Sequence, residues 1–190
     1  MNTERLERLT FKGDMNELKE LDLSLSGIKV LDLQACSELK KIILFCTTNL
    51  ETVMFKRDMD KLEELNLHNS GIKVLELPSC PVLEKINFTN INSLEKVRFK
   101  GDMNELKELD LSLSGIKALE LSLCPVLKKI KLCYTCQLEK VRFKRGMDEL
   151  EELDLRMSKI KTIVGIQHCP KLDRTKLPKE VQLLESASSE

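Results

Sequence analysis

Apolar residues along this chain fall into one short pattern, L-x-x-L-x-L with Ile, Val or Phe exchanging for Leu, which recurs about every 11 residues. It reads LERLTF (6–11), LKELDL (18–23), IKVLDL (28–33) and LKKIIL (39–44) at the start. Past the middle it reads LEKVRF (94–99), LKELDL (106–111), IKALEL (116–121) and LKKIKL (127–132). The closing L-x-L puts two apolar side chains on one face of an extended segment and a polar one on the other. No stretch between motifs is long enough for a helix of several turns. An 11-residue closed turn is too tight to enclose a core, so the pattern predicts coils of about 22 residues, each with two short parallel strands. Motif starts from Leu6 to Leu172 then give about eight coils, a stack on the order of 40 Å long at ~4.8 Å per coil.

A coarser repeat overlies this one. Blocks opening at Leu6, Leu50, Leu94 and Leu138 read LERLTFKGDM, LETVMFKRDM, LEKVRFKGDM and LEKVRFKRGM, a shift of 44 residues. The stretch FKGDMNELKELDLSLSGIK occurs twice, at 11–29 and 99–117. Identical residues so far apart fit a chain that stacks one unit on itself, where equivalent positions meet equivalent surroundings. The predicted fold class is therefore a leucine-rich-repeat β solenoid with little helix, spanning residues 1–177. Residues 178–190 are expected to form a C-terminal cap and frayed tail, with a short helix over 178–184 and fraying from 186. The chain enters the repeat within five residues of Met1, which suggests that it is part of a larger chain.

Charge checks the proposed register. In the second and fourth motif of each block, the outward residue before the second apolar position runs Glu20, Lys41, Glu64, Lys85, Glu108, Lys129, Glu152, then Arg174. If these motifs are neighbours in one sheet, acid faces base at every step. On the other sheet the central outward residue runs Asp32, Met54, Glu76, Arg98, Glu120, Arg142. The whole chain carries 31 basic and 31 acidic residues, a net charge of zero. That balance argues against nucleic acid or an anionic membrane surface as partner. Seven cysteines with no secretory signal point to free thiols in a reducing, cytoplasmic setting.

Catalytic and metal chemistry find little to work with. Cys36, Cys80, Cys124 and Cys169 share one repeat position, two coils apart, and so lie roughly 10 Å from one another, beyond disulfide reach. They read as small buried turn residues. Cys133 and Cys136 form a lone C-x-x-C without a second ligand pair, since His68 and His168 are the only histidines. By alignment Cys133 points outward, as does His68 at a strand end. The series Met15, Met59, Met103 and Met147 reads as core filler. No phosphate-cradling G-x-x-x-x-G-K-[ST] occurs. The reading is a non-enzyme with no cofactor or metal.

The segments LDLSLSGIKVLDLQACSELKKIILFCTTNLETV, CPVL (80–83, 124–127) and CPKL (169–172) resemble the leucine-rich-repeat region of grass nucleotide-binding, leucine-rich-repeat disease-resistance proteins. The likeness runs from residue 6 to about 172. It implies a protein-protein interaction module, the ligand-sensing part of an immune receptor whose partner is a pathogen effector or a host protein. It carries no catalytic or ligand residues over. The sheet of the second and fourth motifs is the expected recognition surface, because LDLSLSGI, LNLHNSGI and LDLRMSKI resemble the L-x-L-x-x-N-x-L of concave strands. Repeat copies differ most at 45–49, 87–93 and 132–137, and the surface expected from those differences is Ile43, Phe45, Asn66, His68, Asn87, Thr89, Lys131, Cys133, Tyr134 and Arg156. The rival reading is a structural or oligomerising scaffold whose exposed first coil docks on another chain.

Overall fold

The computed structural model describes residues 6–56, 58–121 and 124–186. It is a parallel β solenoid of about eight coils with short 3-10 turns as its only helical elements among these residues. Numbered in chain order, one flank holds β2 (Glu20–Asp22), β4 (Lys41–Ile43), β6 (Glu64–Asn66), β8 (Lys85–Asn87), β10 (Glu108–Asp110), β12 (Lys129–Lys131) and β14 (Glu152–Asp154). These seven form one continuous parallel sheet. The opposite flank holds β1 (Arg8–Thr10), β3 (Val30–Leu33) and β5 (Thr52–Phe55) in a three-stranded sheet. It continues with β7 (Val74–Leu77), β9 (Lys96–Phe99), β11 (Ala118–Leu121), β13 (Lys140–Phe143), β15 (Thr162–Val164) and β16 (Gln182–Leu184) in a six-stranded one.

The strands lie where the motifs predict, and both leucines of each L-x-L point inward from the same face of the strand. Leu31 and Leu33, Leu65 and Leu67, and Leu109 and Leu111 are all fully buried. Met59, Met103 and Met147 are buried with them, and Met15 packs half-buried against the same core. Each coil can only be covered by its neighbours. Consistent with this, Leu9, Phe11, Leu18, Leu21 and Leu23 of the first coil remain partly exposed. Cys36, Cys80, Cys124 and Cys169 are fully buried. Desolvation pushes the last three thiols up to about 12, so they sit as inert neutral packing groups.

The predicted register holds strand by strand. Glu20 pairs with Lys41, Lys41 with Glu64, Glu64 with Lys85, Lys85 with Glu108, Glu108 with Lys129 and Lys129 with Glu152. Lys41–Glu64 (3.1 Å) and Lys129–Glu152 (2.9 Å) are direct ion pairs, while Glu108 reaches diagonally to Lys131. A second rung beside it joins Lys40 to Glu63 at 2.9 Å. On the other flank Arg98 meets Glu76 at 2.7 Å. All lie at the surface, partly or fully in solvent, so each contributes a few tenths of a kcal/mol and the ladder acts mainly to fix register.

Three features differ from expectation. Arg174 lies in a 3-10 turn, Arg174–Lys176, and not in an eighth strand of the ladder. Residues 178–184 form no helix: Gln182–Leu184 is a strand paired with β15, because the open edge of β15 supplies the backbone partners a short isolated helix would lack. Ser186 is tied to Gln167, and the rest of the expected frayed tail, 187–190, lies outside the described residues. The third difference is the gap between β5 and β7. In later coils the residue after the strand donates across it, Lys100 N–H to Leu77 C=O (2.8 Å) and Lys144 N–H to Leu121 C=O (3.4 Å). Pro78 holds that position after β7 and has no N–H to give Phe55. The flank splits there into a cleft of about 850 Å3, and the described backbone is bridged again further on, between Asp58 and Ser79.

Coil spacing is set at the turn that leads out of the seven-stranded sheet. Gly71 N–H donates to Thr47 C=O at 3.0 Å, and a Cβ on Gly71 would lie 2.1 Å from Thr48 O. Gly115 sits against Asn92 O in the same way.

Candidate functional site

The strand exits of the seven-stranded sheet carry three parallel rows of outward residues. The first continues the strand: Asp22, Ile43, Asn66, Asn87, Asp110, Lys131 and Asp154. Where this residue is Asp or Asn, its side chain folds forward onto the backbone two residues on. Asp22 accepts from Ser24 N–H (2.9 Å), Asn66 from His68 N–H (3.0 Å), Asn87 from Thr89 N–H (3.1 Å) and Asp110 from Ser112 N–H (3.0 Å). Ile43 and Lys131 cannot do this. In their coils a buried threonine hydroxyl instead donates to the turn carbonyl, Thr47 to Leu44 (2.7 Å) and Thr135 to Leu132 (2.8 Å). Ser26, Ser70 and Ser114 hold the corresponding place in the Asp22, Asn66 and Asp110 coils, and their hydroxyls have no partner.

The second row is Ser24, Phe45, His68, Thr89, Ser112, Cys133 and Arg156. Phe45 stacks on His68 with ring centroids 5.3 Å apart and planes at 9°. Thr89 Oγ1 donates its one proton to Asn87 Oδ1 (2.7 Å), so its contact with His68 Nδ1 (2.6 Å) makes Nδ1 the donor. Cys133 is on the outer face, as aligned, but it is 9% exposed, covered by its neighbours. Burial pushes its thiol upward first, and the Asp154 carboxylate adds to this. Cys136 is exposed on the following turn.

The third row gives the face its shape. Leu25, Cys46, Asn69, Asn90, Leu113, Tyr134 and Met157 all have φ between 55° and 59°, the left-handed region. Each turn requires this, because the N–H of one such residue donates to the coil above: Leu25 to Phe45 C=O (2.8 Å), Leu113 to Cys133 C=O (2.9 Å) and Tyr134 to Arg156 C=O (3.0 Å). Asn tolerates the conformation, whereas Leu, Tyr and Met hold it at a cost of roughly 1–2 kcal/mol each. Their side chains stand out into solvent, Leu25 and Met157 at 70% exposure and Tyr134 at 51%.

Charges within the face are internally matched. Asp154 accepts from Arg156 Nε at 2.9 and 3.1 Å and from Nη2 at 2.7 Å. The Arg156 hydrogen bonds hold the Asp154 carboxyl far below the ordinary aspartate range, and Asp154 in turn raises Arg156. Lys131 is raised chiefly by its bond to Glu108, with Asp110 3.6 Å away.

Of the residues expected from sequence, Ile43, Phe45, Asn66, His68, Asn87 and Thr89 are brought together across β4, β6 and β8. Lys131, Cys133, Tyr134 and Arg156 form a second group across β12 and β14. Asp110, Ser112 and Leu113 of β10 and its turn lie between the groups. Sequence reasoning missed Leu25, Leu113 and Met157, along with Asp154 as the clamp on Arg156. The available signal was a large apolar residue at the turn position that Asn69 and Asn90 occupy elsewhere. No family model, curated protein or solved structure matches this chain.

Proposed function

We propose that this protein is a non-enzymatic interaction module that binds a partner protein across the strand exits of its seven-stranded sheet. The observation that carries the reading is the distribution of exposed apolar side chains. Among the described residues, five of the nine large ones (Leu25, Phe45, Leu113, Tyr134 and Met157) stand on this one face. The other four, Val74, Val82, Leu183 and Leu184, are spread over the rest of the surface, where many outward positions carry paired charges. Backbone strain accepted to present apolar groups to water is a signature of a recognition surface. The resemblance of the sequence to the repeat region of grass disease-resistance proteins supports a finer reading, the effector- or host-protein-sensing part of a cytoplasmic immune receptor. Affinity capture from plant extract tests it by comparing wild type with Phe45→Ser/Tyr134→Ser. A partner lost with that variant and kept with Lys41→Ala/Lys129→Ala supports the face, and an unchanged partner set overturns it.

A second reading, an oligomerising scaffold, has its own observation. The half-exposed core residues Leu9, Phe11, Leu21 and Leu23 of the first coil form an open stacking surface. Light scattering separates the two, since a scaffold of this kind forms concentration-dependent oligomers and a recognition module with covered ends is monomeric.

A further inference from the structure

Between coils six and seven the ridge opens into a notch of about 550 Å3 lined by Cys133, Tyr134, Arg156 and Met157. Its size falls within the roughly 300–1,000 Å3 typical of sites that seat a small group. The nearly covered Cys133 forms its floor, and the exposed Tyr134 and Met157 belong to consecutive left-handed turns beside it. Arg156 is the decisive member. Its side chain is 81% exposed, yet Nε and Nη2 are both clamped by the Asp154 carboxylate, itself only 10% exposed. Those bonds lie in the guanidinium plane, so they hold the group in place and leave its flat faces free.

We infer that this notch is a docking pocket for an aromatic side chain of the partner protein, a surface tryptophan foremost, laid against the Arg156 guanidinium. The inference rests on the interaction reading above and adds the chemistry of the partner. Each wall favours an aromatic ring over an aliphatic one: a guanidinium plane stacks on it, a thioether contacts its edge, and a phenol packs offset or edge-on. The charges argue the same way. Arg156 is matched by Asp154, Lys131 by Glu108, and Lys129 by Glu152. An acidic or basic anchor would have to displace an existing pair, whereas an uncharged ring leaves every pair intact and gains burial. Binding at the notch is accordingly insensitive to salt.

The test uses the whole chain labelled with 13C-methyl methionine, the Met157 signal assigned by its loss in Met157→Leu. N-acetyl-tryptophanamide and N-acetyl-leucinamide are titrated separately. The expected result is a saturable upfield displacement of the Met157 methyl by the tryptophan probe, with the millimolar affinity so small a ligand can reach. The leucine probe binds at least about threefold more weakly, and Arg156→Lys, which keeps the charge but loses the plate, weakens the tryptophan probe about threefold or more. No displacement by the tryptophan probe, or equal response to both probes, overturns the proposal; so does full binding to an Arg156→Lys variant that still folds by circular dichroism. If the probes fail while Phe45→Ser/Tyr134→Ser still abolishes partner capture, the pocket falls and the interaction face stands. If the probes bind and capture is unchanged, the notch takes aromatic rings but does not seat the partner, and the proposal falls together with the face.

Discussion

Replacing Gly71 by alanine adds a single carbon at the point where consecutive coils come closest. That carbon would lie 2.1 Å from Thr48 O, 2.8 Å from Thr48 C and 3.1 Å from Leu50 O, all backbone atoms. An ordinary contact needs about 1 Å more than the first of these, so the coils must part locally. The Gly71 N–H to Thr47 C=O bond of 3.0 Å pins the same spot and would be strained or lost, at about 1 kcal/mol. Parting also opens the packing of Leu50 and Ile72, both fully buried, and overpacking of this kind costs typically 1–3 kcal/mol. The expected loss is about 3 kcal/mol, a large share of the roughly 5–15 kcal/mol that holds a domain together. Gly13→Ala is the control. Gly13 has φ 75° and nothing within 4 Å of the added carbon, so only backbone conformation is disturbed, at about 1 kcal/mol. Urea unfolding followed by far-ultraviolet circular dichroism gives both values. Tyr134, the one tyrosine in a chain without tryptophan, reports separately on the sixth coil by fluorescence. Because each coil touches only its neighbours, the Tyr134 transition should move less than the dichroism transition in Gly71→Ala. A loss no larger than that of Gly13→Ala would show that coil spacing is slack and refute the reasoning.

The left-handed row predicts a reversed ranking at residue 157. Met157→Gly should be more stable than Met157→Ala by about 1 kcal/mol in thermal or urea unfolding, whereas Ala is the better residue at ordinary positions. At the buried turn positions, Thr135→Ala removes a satisfied hydroxyl and should cost about 1 kcal/mol, while Ser114→Ala removes an unpartnered one and should be neutral or stabilising. The depressed carboxyl of Asp154 stabilises the fold above its unfolded value near 4, and that contribution disappears as acid protonates it. The stability difference between wild type and Asp154→Asn, about 1–2 kcal/mol at neutral pH, should therefore shrink on titration from roughly pH 5 toward 2. A difference that instead grows in acid would contradict the clamp.

The sequence by itself determined the coil, its register and its charge ladder. Leucine alternation and charge alternation are periodic signals: each needs only the next unit of the same repeat to acquire meaning, and the pairing of Glu64 with Lys41 and Lys85 follows directly. The tertiary structure decided where that periodicity fails. Leu111 and Leu113 look alike in LDLSLSG, yet one is fully buried and the other 47% exposed. Their difference arises from the sign of φ at the turn, fixed by a hydrogen bond from Leu113 to Cys133 in the next coil. Likewise Pro78 reads as an ordinary turn residue until Phe55 is placed opposite it, and residues 182–184 read as a helix until the open edge of β15 is there to pair with them. Of the candidate site, the second row was legible from the differences between copies. The third row was hidden within the leucine pattern, because a neighbouring coil, and not the local sequence, turns those side chains outward.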